Sequence, residues 1–150
     1  MFKKFKKAFT ITELVIVIAV IAILAAVLIP TFSTVIGKAN ESAAMQDCRS
    51  EWTNLSVEVM TDETAGKDYL FSIEKGGKTY YFAVIGGNFK ADPANVESTD
   101  ENGALTGEGV TLTITTKEKA YSNVTASKVS QDVYVPESSA VIYSLSGVNA

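Results

Sequence analysis

The chain opens with a short basic stretch, MFKKFKKA, and then becomes almost wholly apolar: of the 21 residues from Phe9 to Ile29, only Thr10, Thr12 and Glu13 are polar. As a helix rising about 1.5 Å per residue, that run reaches roughly 31 Å, the thickness of a bilayer's hydrocarbon core. Pro30 follows it and removes one internal hydrogen bond, so a kink or local melting is expected there, with Gly37 a second weak point. Helical spacing then resumes on one face, with Ala44, Cys48, Trp52, Leu55 and Val59 recurring every three or four residues. Glu41, Asp47, Arg49, Glu51 and Glu58 fall mostly elsewhere. These features predict one long helix over 10–62, apolar all round in its first half and amphipathic in its second.

From Tyr69 the period changes to two. Tyr69–Ile73 and Thr79–Ile85, joined by Glu74-Lys75-Gly76-Gly77-Lys78, read as a β-hairpin rich in aromatic and β-branched residues. Tyr69, Phe71, Tyr80, Tyr81 and Phe82 suit core and cross-strand packing. The stretch 86–109, with Asp-Pro, Asn-Gly and several acids, predicts a long exposed loop. Further strands are expected at Val110–Thr116, Asp132–Val135 and Ala140–Leu145. The fold class is therefore α+β: a long protruding helix whose second half packs on an antiparallel sheet of four or five strands.

Charge gives the first segment a direction and a problem. Lys3, Lys4, Lys6 and Lys7 all lie before the apolar run, which places the N-terminus in the cytoplasm and everything after Pro30 outside. Glu13 is the problem, because a carboxylate at the centre of a spanning helix costs about 2.5 to 3.5 kcal/mol. A cleaved secretory signal gains nothing from such a charge and has a shorter apolar run. An ordinary single-pass anchor leaves the carboxylate equally unexplained.

The string Lys7-Ala8-Phe9-Thr10-Ile11-Thr12-Glu13-Leu14, followed by VIVIAVIAILAAVLIP to Pro30, resembles the class III signal of type IV prepilins and pseudopilins. The resemblance implies cleavage between Ala8 and Phe9 by a prepilin peptidase, N-methylation of Phe9, and retention of the apolar run in the mature chain. Glu13 becomes the fifth mature residue, and Pro30 matches the proline midway along the family's first helix. Ala8 departs from the usual glycine before the cut, and Thr12 from an apolar residue. The implied organisation is a leader at 1–8, a membrane and assembly helix at 9–30, and an exported globular domain at 31–150.

The physics of Glu13 points the same way. It lies only about 6 Å along the helix from Phe9, close to the cytoplasmic interface and to the helix N-terminus, where the dipole favours negative charge. Cleavage creates a matching cation, the amino group of Phe9, and axially offset helices would set one subunit's amine against its neighbour's carboxylate. That pairing fixes register more than affinity.

Composition removes other classes of function. The chain has no His, which excludes His-based nucleophilic sites and His metal clusters. The one cysteine, Cys48, sits on the apolar helix face as a buried thiol and has no internal disulfide partner. Asp92, Glu97, Asp100 and Glu101 lack the alternating ligand pattern of a calcium loop and read as a solvated surface. Removing the four leader lysines takes the formal charge from −4 to −8, which disfavours direct nucleic-acid binding. No catalysis, cofactor or metal is expected. The implied partners are the peptidase, copies of the chain and other pilins, the assembly platform with its ATPase, and the membrane before assembly. The expected product is a bacterial surface filament, the alternatives being a pseudopilin of a type II secretion or DNA-uptake apparatus and a membrane-anchored binding domain.

Overall fold

The computed structural model describes residues 8–58, 68–98, 105 and 109–149. The leader lysines, the predicted helix end at 59–62, and the loop acids Asp100 and Glu101 lie outside the described residues. The chain divides into two compact units, residues 1–38 and 39–150.

One helix, α1, runs Ile11–Glu58. It continues without a break through Pro30 and Gly37. In the first unit no large apolar side chain of α1 finds cover: Ile23, Val27 and Ile29 are 68%, 66% and 70% exposed. In the second unit α1 buries Ala44, Cys48, Glu51 and Leu55, which succeed one another at four, three and four residues and so form a single stripe.

Among the described residues seven strands follow: β1 Asp68–Lys75, β2 Lys78–Ile85, β3 Asn88–Phe89, β4 Asn95–Ser98, β5 Val110–Thr115, β6 Ala120–Lys128 and β7 Val141–Ser146. They form one antiparallel sheet in the order β3-β2-β1-β7-β6-β5-β4. β1 and β2 meet at a two-residue turn in which Gly76 and Gly77 have φ of 60° and 75°, the left-handed pair that matches hairpin twist and strongly favours glycine.

The sheet curls until its two edges share a segment. Lys90 N donates to Ala83 O at 2.9 Å and Ala94 N to Tyr81 O at 2.8 Å on β2, after which β4 pairs with β5 at the opposite edge. Lys90 and Asp92 of this segment also meet Glu118 and Lys117 of the β5–β6 turn at 2.8 and 3.8 Å. Two cores result. Tyr69, Phe71, Ile73, Tyr80, Phe82, Val84 and Ile142 pack with the α1 stripe, while Leu70, Ala83, Ile85, Leu112, Ile114, Val124 and Leu145 fill the inside of the curl. β1 and β2 are thus buried on both faces.

Three expectations are corrected. The sheet has seven strands instead of four or five, because the 86–109 stretch holds β3 and β4 and because β6 escaped the period-two pattern. β6 carries a bulge: Leu112 pairs with Val124 but Ile114 with Tyr121, and Asn123 takes φ 57°. Its buried residues are therefore three apart at that point, and the alternation breaks. Asp132–Val135 is a turn and no strand. Ser130 O accepts from Val133 N and Tyr134 N at 3.0 and 3.2 Å, and Ser130 Oγ accepts from Asp132 N at 3.3 Å, so local side-chain bonding overrides the alternating DVYV pattern.

Candidate functional site

The segment singled out by sequence begins at Ala8, Phe9 and Thr10, which precede α1 and are exposed, Phe9 to 88%. Thr10 caps the helix. Its backbone N and its Oγ1 donate to Glu13 Oε2 at 2.9 and 2.8 Å, while Glu13 N donates back to Thr10 Oγ1 at 3.3 Å. This is a reciprocal capping box, which satisfies orphan donors of the first turn. In the apolar pattern Thr10 reads only as an interruption, although the Thr-x-x-Glu spacing that signals the box stands at residues 10 to 13.

The box changes what Glu13 is. Both donors converge on Oε2, so the carboxylate is held in one orientation with Oε1 left as an acceptor. A carboxylate at a helix N-terminus also benefits from the dipole.

Beyond it the helix offers lipid or another helix a surface without charge up to Lys38. Two of the hydroxyls it carries turn inward: Thr31 Oγ1 donates to Val27 O at 3.0 Å and Thr34 Oγ1 to Pro30 O at 3.1 Å. Such bonds let threonine sit in apolar surroundings without an unmet donor. By length and composition α1 can cross a membrane, and its 18 most apolar residues are uncovered by the rest of the chain.

In the second unit the structure places one charged residue where the sequence reading did not. By sequence Glu51 reads as one of the polar positions, yet it is 2% exposed. Tyr134 Oη donates to its Oε2 at 2.6 Å and Ser138 N to its Oε1 at 2.5 Å. Burial, and then the bond to Glu51, hold the Tyr134 hydroxyl well above its usual titration range. The 48–51–55 stripe contained the signal for Glu51. Nothing in the sequence named Tyr134 and Ser138 as its donors.

Cys48 is fully buried and unpaired. Burial first, then the neighbouring charges of Asp47 and Glu51, push its thiol from an ordinary 9.0 up to about 12, which leaves it inert at neutral pH. Among the described residues no group of three or more His, Cys, Asp or Glu is arranged to hold a metal ion.

No curated protein and no solved structure matches the chain. Residues 3–29 do match a family model, the prokaryotic N-terminal methylation motif. Residues 3–29 therefore carry the class III signal of type IV pilins, joined here to an apolar helix and an α+β fold.

Proposed function

We propose that the chain is the precursor of a filament subunit: a membrane-anchored pilin, cut between Ala8 and Phe9 by a prepilin peptidase, methylated on Phe9, and polymerised through α1 into a surface filament. The observation that carries this reading is the matched segment 3–29, in which Glu13 is the one carboxylate. Before assembly the leader lysines hold the N-terminus in the cytoplasm. After cleavage the Phe9 amine of one copy meets the Glu13 carboxylate of its neighbour, and the uncovered apolar helices pack together in place of lipid. The role is structural and not catalytic. Partners are copies of the chain, other pilins and the assembly machinery.

The capping box makes the test sharp. Glutamine can replace glutamate in such a box, so Glu13→Gln keeps the bonds with Thr10 and removes only the charge. The expected result is a precursor that inserts and is trimmed but gives little or no sheared filament, as for Glu13→Ala. Normal filament yield from Glu13→Gln would show that the cap and not the charge is what matters, and would contradict the register role of Glu13.

A further inference from the structure

The uncovered surface of α1 does not stop at Pro30. Phe32, Val35 and Ile36 still stand exposed, the last two at 58% and 56%, and the first charge after Glu13 is Lys38. From Leu14 to Ile36 is about 33 Å as a helix. At the ordinary tilt of about 20° that becomes about 31 Å, the thickness of the hydrocarbon core. A bilayer that covers this whole surface therefore ends its apolar part at Ile36 and leaves Lys38 among the headgroups.

The folded unit leaves no spacer beyond that level, because it begins at Ala39. Three contacts between α1 and β1 show which end of the unit lies there. The Tyr69 ring is 5.7 Å from that of Trp52, Lys75 Nζ meets Asp47 Oδ2 at 2.7 Å, and Gly76 lies so close to Asn40 that a side chain on it would collide with the Asn40 amide. Positions rising from 69 to 76 thus meet positions falling from 52 to 40. β1 runs antiparallel to α1, and its turn into β2 stands at the end where the helix enters the unit.

Asn40 follows Ile36 by one helical turn, about 6 Å, and the headgroup layer of each leaflet is about 5 to 7 Å deep. The turn against Asn40 is therefore held at headgroup level. Its exposed residues Gly76, Gly77, Lys78 and Thr79 suit that place, since bare backbone, a long amine and a hydroxyl all sit well in a polar, hydrated layer. Charge does not single the turn out: Lys75 is bridged to Asp47, and exposed Glu74 stands beside it. Its distance from Ile36 does.

We infer that, in the membrane-anchored precursor, the β1–β2 turn rests on the lipid headgroups of the leaflet from which α1 emerges, a second contact with the bilayer besides the helix itself. The inference rests on the membrane-anchored reading above and adds where the folded unit is seated before assembly.

The test uses full-length protein in phosphatidylcholine vesicles, with a fluorophore on the thiol of Lys78→Cys and the buried Cys48 left unlabelled. A nitroxide on the lipid headgroup quenches this probe. The same fluorophore on Val135→Cys, exposed beside Val57 and so about 26 Å farther along α1 than Asn40, keeps its emission. Thr79→Cys supplies a second probe of the turn that leaves the Lys78 contact with the Tyr80 ring intact. An insertion of two helical turns, about seven residues, after Lys38 lifts the unit by about 10 Å and abolishes the quenching. The inference is overturned if neither turn probe is quenched, if the probe at 135 is quenched as strongly, if the insertion changes nothing, or if thiols at 78 cross-link between copies in place of quenching. Protein that alkaline carbonate strips from the vesicles would contradict the anchored reading itself, and the seating with it.

Discussion

Two stretches of one helix treat apolar side chains in opposite ways. Between Ile11 and Ile36 they stand exposed on every face, with no charge to break the run after Glu13 until Lys38. From Ala44 to Leu55 a single narrow stripe, with Glu51 among its members, is buried, and it is covered by Phe71, Phe82 and their neighbours. The second stretch is completed by its own chain. On the proposed function the first is completed by lipid at one stage and other helices at another, and burying its side chains is worth roughly 1.5 to 3 kcal/mol for each Val, Leu or Ile. The contrast separates the stretch the chain covers itself from the one it leaves bare.

Truncation in each stretch should divide the two properties most strongly. Phe71→Ala removes a side chain with no exposed surface and should destabilise the folded unit by about 3 to 5 kcal/mol. Ile21→Ala should leave that stability unchanged and weaken only assembly. Denaturant titration of the detergent-solubilised chain checks both, read through Trp52, whose ring lies 5.7 Å from that of Tyr69.

A smaller loss is expected from Glu51→Ala. It leaves Tyr134 Oη and Ser138 N without their acceptor and should cost about 2 to 4 kcal/mol. Hydrogen exchange should rise in 130–140 ahead of the strands. If that segment stays protected, Glu51 is not what holds it to α1.

The buried groups also predict a pH dependence. The Cys48 thiol ionises near 9.0 when unfolded and near 12 when folded, so over that window the unfolded chain binds fewer protons and stability falls as pH rises. The raised Tyr69, Tyr134 and Tyr143 hydroxyls add losses of the same sign at higher pH. Cys48→Ala should flatten the early part of the decline, and an unchanged slope would refute the assignment to Cys48. The least effect belongs to Lys75→Ala, since its bridge to Asp47 is about one-third exposed and such pairs are worth up to about 1 kcal/mol.

The elements legible in the sequence are those with a sustained apolar pattern. α1 shows in its long apolar run and the 3.6 spacing of its second half, β5 in its alternation, and β1, β2 and β7 in their aromatic and β-branched residues, while Phe9 and Glu13 stand out through a motif and a charge. β6 was hidden by the bulge at Asn123, which shifts its buried positions by one residue. Asp132–Val135 imitated a strand because one inward tyrosine sits between two outward valines. β3 and β4 are too short to show a period, and they exist because the segment joining them spans both edges of the curled sheet. Glu51 was misplaced because a carboxylate is assigned to water unless its donors are known, and those donors come from 83 and 87 residues away.

If the exposed helix is kept after trimming and becomes the means of assembly, mass spectrometry of the N-terminal peptide from sheared surface material should find a chain that begins at Phe9 with a methylated amine. Material that retains Met1, or that lacks the helix through cleavage beyond Ile29, would overturn the filament reading.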